Sequence, residues 1–181
     1  MKIIGAILVG GQSQRMGRAK ALLPIDGGCL VDRVEKKLAE LGPGISQVVL
    51  SGKLAGRETI PDEEPQRGPV GAIHTLAKRF LGLAQGLLVV PVDLPLLEAY
   101  ALSPLTSHFF RTQSPAVSFC GHPLPALFRI DSDLIEKSLR ADSVRELLAS
   151  RQADELSLEN PNCLTNTNTP EEWAKAIGET L

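Results

Sequence analysis

The segment LVGGQSQRMGRAKALL, residues 8–23, decides how the rest of the chain is interpreted. The run just before its two glycines, residues 3–9, is short, apolar and rich in β-branched side chains, which predicts a buried strand followed by a tight loop. Gly10 and Gly11 let the backbone turn sharply and approach a ligand without a Cβ in the way. The loop then carries three basic residues and no acidic one: Arg15, Arg18 and Lys20. Backbone N–H groups beside fixed cations suit a polyphosphate, so the segment predicts a nucleotide-binding loop.

The spacing within this loop excludes two common nucleotide motifs. The Walker pattern fails because Arg18 follows Gly17 and Ala21 follows Lys20. The dinucleotide fingerprint G-x-G-x-x-G fails because the glycines have the wrong intervals, which disfavours an oxidoreductase. What remains is the pattern G-G-x-S-x-R-M-G-x-x-K.

This pattern resembles the signature loop of the sugar-nucleotide-type nucleotidyltransferases. Within that superfamily it is most similar to the molybdenum cofactor guanylyltransferases, the MobA family. The resemblance covers nearly the full chain, because further family motifs follow in the same order. It implies transfer of GMP from GTP to the molybdenum–molybdopterin cofactor, with release of pyrophosphate.

Length, charge and cysteine content narrow the class of protein. The chain has 181 residues and a net charge of −2, so we expect one domain, residues 1–181, that binds neither nucleic acid nor an anionic membrane. The three cysteines form no C-x-x-C pair and indicate neither a disulfide framework nor a zinc site. The N-terminal apolar run is too short for a signal peptide or a membrane span, which predicts a cytoplasmic protein.

Strand and helix patterns alternate along the first half of the chain. Strands are predicted at residues 3–9, 47–52 and 86–92, with helices near 30–41 and 68–81 between them. This alternation favours parallel strands and a three-layer α/β/α sandwich with a Rossmann-like, mostly parallel sheet.

The second half is less regular. A helix over residues 96–110 should be broken or kinked at Pro104. Strands over 116–120 and 124–130 flank a turn, and a last strand spans 155–158. Helices are predicted to begin after Asp131, Ser143 and Thr169, the last two with capping-box spacing.

Asp93 follows the third apolar strand, where ligands bind in open α/β folds. Its carboxylate could bind Mg²⁺, with Mn²⁺ as an alternative, or it could start a turn before Pro95. The stretch VPVDLPLL also resembles the family motif that supplies the magnesium ligand.

Two loop cations are the remaining candidates for catalysis. Lys20 would place its ammonium against the β- and γ-phosphates, and Arg15 can contact two phosphate oxygens at once. Either could instead be a solvated surface charge, and we expect the loop to be exposed. An Lys20→Ala variant should therefore lose rate but hardly any stability.

The resemblance implies further site residues. On the GTP side they are Leu8, Val9, Gly10, Gly11, Ser13, Lys20, Asp62 and Asp93. On the pterin side they are Asn166 and Asn168, in a stretch that resembles the family motif N-x-N-T-P-E. The chain departs from the family at Ala19, where an Asp is common, and at Lys53, where an Asn is frequent.

Two other functions stay open at this stage. A molybdopterin cytidylyltransferase would typically have Ala-Gly in place of Gly10-Gly11, and Asp residues in place of Asn166 and Asn168. A regulatory GTP-binding domain would need neither Lys20 nor Asp93. If the chain is a guanylyltransferase, its substrates are GTP and the molybdopterin cofactor, and molybdenum-insertion proteins and acceptor molybdoenzymes are its expected partners.

Overall fold

A computed structural model describes residues 2–10, 19–167 and 169–178, and these contain eight strands and six α-helices. The strands are β1 (Ile3–Leu8), β2 (Pro24–Ile25), β3 (Gly28–Cys29), β4 (Ile45–Ser51), β5 (Gly86–Pro91), β6 (Ala116–Phe119), β7 (His122–Arg129) and β8 (Asp154–Leu156). The helices are α1 (Leu30–Ala39), α2 (Gly68–Phe80), α3 (Ala99–Thr112), α4 (Ser132–Arg140), α5 (Val144–Ser150) and α6 (Pro170–Gly178).

Six strands form one mixed sheet in the order β4-β1-β5-β7-β6-β8. β1 pairs in parallel with β4 and β5, and β6 pairs in parallel with β8. Only β7 runs antiparallel within this sheet, because the short turn after β6 sends the chain straight back beside it. The predicted α/β fold with a mostly parallel sheet is confirmed.

The sheet buries both faces, as its continuous apolar strands require. Ile3 and Ile7 of β1 pack on the face covered by α1, α3 and α6. Ile4, Ala6 and Leu8 pack on the other face, against residues of α2, α4 and α5. β5 follows the same alternation, so two cores sandwich one sheet and the three predicted layers are present.

Helix α3 runs through Pro104, so the predicted break at this residue is wrong. A proline inside a helix cannot donate to the carbonyl four residues earlier, which here belongs to Tyr100. The Ser103 hydroxyl donates to that carbonyl at 2.9 Å and replaces the missing bond.

The predicted helix starts are confirmed by their caps. Asp131 accepts from the Leu134 amide at 2.7 Å, and Ser143 accepts from the Glu146 amide at 3.2 Å. Thr169 and Glu172 form the reciprocal capping box, in which each side chain accepts the other's amide at 3.1 Å.

A further cap, at α1, was not predicted from the sequence. The Asp32 carboxylate accepts from the Cys29 amide at 3.0 Å and from its thiol at 2.8 Å. The thiol hydrogen bond, followed by the neighbouring Arg57 guanidinium, lowers the pKa of Asp32 to about 2.

Among the described residues, no helix combines the length and the apolarity needed to cross a bilayer.

Candidate active site

The carboxyl ends of three neighbouring strands lie side by side at one edge of the sheet. Leu8, at the end of β1, pairs with Ser51 of β4 and with Pro91 of β5. The alignment continues past the strands, since the Val92 amide donates to the Leu8 carbonyl at 3.2 Å. The residues that follow each strand therefore share this edge, where open α/β proteins bind ligands.

Lys20 and Asp93 meet at this edge although they are 73 residues apart in sequence. The Lys20 Nζ lies 3.3 Å from Asp93 Oδ2, and the two side chains are only 14% and 20% exposed. Lys20 begins a short 3₁₀ turn (Lys20–Leu22), in which Ala21 is buried and anchors the turn to the core. The expectation of an exposed loop lysine is wrong, because Lys20 lies against the carboxylate of Asp93.

The second carboxylate oxygen of Asp93 is suited to a cation. Asp93 Oδ1 is buried and has no hydrogen-bond partner among the described residues. A buried carboxylate oxygen without a donor is costly unless a ligand completes it. The described chain contains no cluster of three His, Cys, Asp or Glu side chains that could hold an ion by themselves. An ion bound to Asp93 would therefore take its other ligands from water and substrate phosphates, as Mg²⁺ commonly does.

Gly10 lies between the ends of β4 and β5 and is in close contact with Gly52. A Cβ on Gly52, whose φ is +114°, would lie 2.7 Å from the Gly10 amide nitrogen. Position 52 thus needs glycine for the two backbones to approach each other, whereas a Cβ at position 10 would make only ordinary contact, 3.7 Å from the Gly52 Cα. The side chain of Lys53, the next residue, is exposed.

Asp62 lies on the β4 side of Gly10. Its Oδ1 accepts from the Ser51 hydroxyl at 2.8 Å, and its Oδ2 is 4.0 Å from where a Gly10 Cβ would be. Topology therefore brings Asp62 and Asp93 to opposite sides of Gly10. An acidic residue that looked like one of four in a loop is held beside the predicted nucleotide loop.

Leu8 and Val9 contribute to the two cores rather than projecting into the site. Leu8 packs on the α2 face and Val9 on the α1 face, each 8% exposed. Contact between these residues and a nucleotide would have to come from backbone atoms. The predicted site residues Gly11, Ser13, Arg15 and Asn168 lie outside the described residues.

The C-terminal segment reaches the same edge of the sheet, which sequence reasoning missed. The amide of Thr167 donates to the Asp93 carbonyl at 3.2 Å, and Thr167 is 1% exposed. Its neighbour Asn166 is exposed. The predicted pterin segment is therefore adjacent to the backbone of the predicted metal ligand. No local sequence signal marks this contact, because it depends on the path of the chain after β8.

Arg67, the residue before α2, anchors the loop that carries Asp62. The Arg67 guanidinium donates to three carbonyls at the end of α4, at 2.7–3.0 Å, and lies 2.9 Å from Glu64. A Cβ on Gly71 would lie 2.5 Å from the Glu64 carbonyl oxygen, so only glycine allows this approach.

Two cavities adjoin the strands beyond β5. One of about 490 Å³ lies between α3 and the chain after β8, and its lining includes Tyr100 and Asn160. The other, of about 200 Å³, is lined by His122 and Arg145 among others.

The carboxyl edge of the sheet offers a fixed cation, a carboxylate oxygen that has no donor within the described part of the chain, and a glycine backbone. Together these groups can align and neutralise a polyphosphate.

Comparisons with known proteins identify similar chains. Residues 5–156 match the family described as MobA-like NTP transferase domain. A molybdenum cofactor guanylyltransferase of Xanthomonas euvesicatoria is 33% identical, and the match covers 97% of this chain and 94% of that protein. The molybdopterin-guanine dinucleotide biosynthesis protein A of Archaeoglobus fulgidus has a similar structure, with a TM-score of 0.73, 20% identity, and coverage of 99% and 98% of the two chains. A Mycobacterium tuberculosis protein solved in complex with manganese is also similar, with a TM-score of 0.71, 16% identity, and coverage of 98% and 99%.

Proposed function

Because the chain belongs to the MobA-like NTP transferase domain family, we propose that it is a molybdenum cofactor guanylyltransferase. It transfers GMP from GTP to the molybdenum–molybdopterin cofactor and releases pyrophosphate. The observation that carries this proposal is the 3.3 Å pair of Lys20 and Asp93 at the carboxyl edge of the sheet. The relative from Xanthomonas, similar over almost its whole length, supports the choice of guanylyl transfer.

The reaction needs little proton chemistry. The terminal phosphate of the cofactor is already a nucleophile at neutral pH, and it attacks the α-phosphorus of GTP while the bond to pyrophosphate breaks. Catalysis is then mostly alignment and charge neutralisation. Lys20 stabilises the negative charge on the leaving β- and γ-phosphates, and Arg15 serves the same phosphates from the loop.

Asp93 is the residue that would hold a divalent cation, either Mg²⁺ or Mn²⁺. Its buried Oδ1, with no donor among the described residues, supports this role. The manganese complex of a structurally similar protein supports a divalent ion in this fold. When bound, such an ion neutralises phosphate charge and stabilises the leaving pyrophosphate. Asp93 would hold the ion through its carboxylate, and Lys20, whose Nζ contacts Asp93 Oδ2, would supply a second positive charge to the phosphates.

The two substrates meet near Asp93. GTP binds to the loop backbone at Gly10, Gly11 and Ser13. Backbone atoms of Leu8 and Val9 contact it at the end of β1, and Asp62 contacts it on the β4 side. Asn166 and Asn168 serve the pterin through their amide donors and acceptors. The hydrogen bond from the Thr167 amide to the Asp93 carbonyl supports this arrangement, because it holds the asparagine segment beside the proposed metal ligand. Molybdenum-insertion proteins and acceptor molybdoenzymes are the proposed partners.

The decisive experiment measures pyrophosphate release from each of the four NTPs, with and without molybdenum cofactor. The proposal requires release that depends on the cofactor and is fastest with GTP, since the glycine backbone at Gly10 leaves room for a purine. Turnover of CTP equal to or above that of GTP would replace the guanylyl assignment by a cytidylyl one. Binding of GTP without turnover under any condition would indicate a regulatory GTP-binding domain.

A further inference from the structure

Arg33 of α1 is a largely buried arginine that the proposed chemistry does not use. Its side chain is 12% exposed. Its Nε donates to the Pro95 carbonyl at 2.8 Å, and its Nη2 lies 2.8 Å from Glu98 Oε1. Its Nη1 forms an ion pair with the Asp26 carboxylate. A planar guanidinium spreads its five donors over three nitrogens and can serve three such separated acceptors at once, whereas the three donors of an ammonium share a single nitrogen.

The three acceptors belong to the two segments that carry the Lys20–Asp93 pair. Pro95 and Glu98 lie in the turn that begins at Asp93 and leads into α3. Asp26 lies in the two-residue turn of the β2–β3 hairpin, which follows the Lys20–Leu22 turn directly. The hairpin turn has a defined backbone, with φ of +52° at Asp26 and +77° at Gly27. Arg33 thus joins the segment after Lys20 to the segment after Asp93.

We infer that Arg33 is a positioning residue, which holds the Lys20 segment and the Asp93 segment in register so that the divalent cation and the phosphates find both charges in place. This inference rests on the function proposed above. Arg33 acts through the backbone at Pro95 and the hairpin turn at Asp26, and it has no role in contacting substrate. Contacts from outer-shell residues to a metal site are typically worth roughly 10–100-fold in metal affinity or activity.

A purely structural role is the competing explanation, in which Arg33 only fastens α1 to the start of α3. Lys37, one turn further along α1, offers a matched control. Its side chain is 15% exposed, and its Nζ lies 2.7 Å from Glu98 Oε2 and 3.3 Å from Glu40 Oε2. Lys37 therefore shares the acceptor Glu98 with Arg33, and its side-chain partners in the described chain include neither Pro95 nor Asp26.

Electrostatics makes the two explanations separable. Arg33→Gln and Lys37→Gln each remove one positive charge near the site. Charge removal alone should tighten the binding of a divalent cation. Loss of positioning should weaken it, so the two effects have opposite signs. Arg33→Lys keeps the charge but cannot reach three acceptors, and it is the milder variant should Arg33→Gln not fold.

The experiment compares wild type with Arg33→Gln, Arg33→Lys and Lys37→Gln. Mn²⁺ affinity is measured without nucleotide by electron paramagnetic resonance, and kcat, KM for GTP and thermal melting are measured alongside. We expect both Arg33 variants to weaken Mn²⁺ binding about tenfold and to lower kcat about tenfold, with a smaller change in KM. Lys37→Gln should bind Mn²⁺ as tightly as wild type or more tightly, at a comparable melting temperature.

Equal Mn²⁺ affinity in the Arg33 and Lys37 variants would overturn the positioning role, whichever nucleotide the enzyme prefers. Weakened Mn²⁺ binding with an unchanged kcat would overturn it as well. If the wild type releases no pyrophosphate from GTP, the proposed function fails. The Mn²⁺ comparison, which needs neither GTP nor the molybdenum cofactor, would still decide the role of Arg33.

Discussion

Replacing Lys20 by alanine is the most informative single perturbation of the site. The change removes a cation 3.3 Å from Asp93 Oδ2, in a pair whose side chains are 14% and 20% exposed. A preorganised charge that faces the phosphates is typically worth roughly 10²–10³ in kcat, equivalent to about 3–4 kcal/mol of activation free energy. We therefore expect Lys20→Ala to lose turnover by that factor.

The structure also changes the expected effect on stability. Because Lys20 is largely buried against Asp93, its removal leaves both oxygens of that carboxylate without a partner in the described chain. Leaving such a group unsatisfied costs about 1–3 kcal/mol of unfolding free energy. In a domain of this size each kcal/mol shifts the melting temperature by about 2–4 °C, so a decrease of about 2–12 °C is expected without metal.

The assay combines pyrophosphate release with thermal melts over a Mg²⁺ titration. Mg²⁺ should raise the melting temperature of Lys20→Ala more than that of wild type, since the ion then neutralises Asp93 without repulsion from Lys20. Lys36→Ala, which removes an exposed lysine from α1, is the control and should behave as wild type. A Lys20→Ala variant with near-normal turnover and an unchanged melting temperature would show that Lys20 acts on neither the phosphates nor Asp93.

Three further changes test separate parts of the site and fold. Asp93→Asn should abolish metal-dependent turnover while the fold is kept, because asparagine preserves the shape but not the charge that a hard divalent cation requires. Titration of the rate against Mg²⁺ checks this, and an unchanged Mg²⁺ dependence would mean that Asp93 is only a turn residue. Asn168→Ala should raise the KM for the molybdenum cofactor and leave GTP binding nearly intact. The control Thr169→Ala should cost about 1 kcal/mol of stability through loss of the helix cap. If Asn168→Ala weakened GTP binding as much as cofactor binding, the division of the site into a GTP side and a pterin side would be contradicted. Asp32→Asn should lower the melting temperature at pH 7 by an amount equivalent to about 1 kcal/mol or less, since the side chain is 42% exposed. In the folded protein the pKa of Asp32 is lowered to about 2. The ionised carboxylate therefore stabilises the fold fully at any pH above the usual pKa range of an aspartate, and this contribution is lost as the pH falls toward 2. The melting difference between wild type and Asp32→Asn should therefore shrink between pH 4 and pH 2, and a constant difference would exclude the linkage.

Local patterns were sufficient to predict the α/β fold. Alternating apolar strands and helices, ended by glycines and begun by capping residues, specify which segments form elements and which faces they bury. Pro104 is the instructive failure. Proline does disfavour a helix interior, but in α3 the Ser103 hydroxyl donates to the carbonyl that proline leaves without a donor. Buried neighbouring residues of α3 also hold the helix in place.

The site divides in the same way between local and long-range information. The sequence alone identified the candidate chemistry, which is a glycine loop with cations and an acid directly after a buried strand. It could do so because these signals are properties of consecutive residues. The tertiary structure decided which of them meet. Register between β1, β4 and β5 brings Asp62 and Asp93 to the same edge of the sheet, and tertiary packing buries Lys20 against a carboxylate 73 residues away. The contacts of Arg33 with Pro95 and of Thr167 with Asp93 have no local signature, since each depends on how distant segments pack against one sheet.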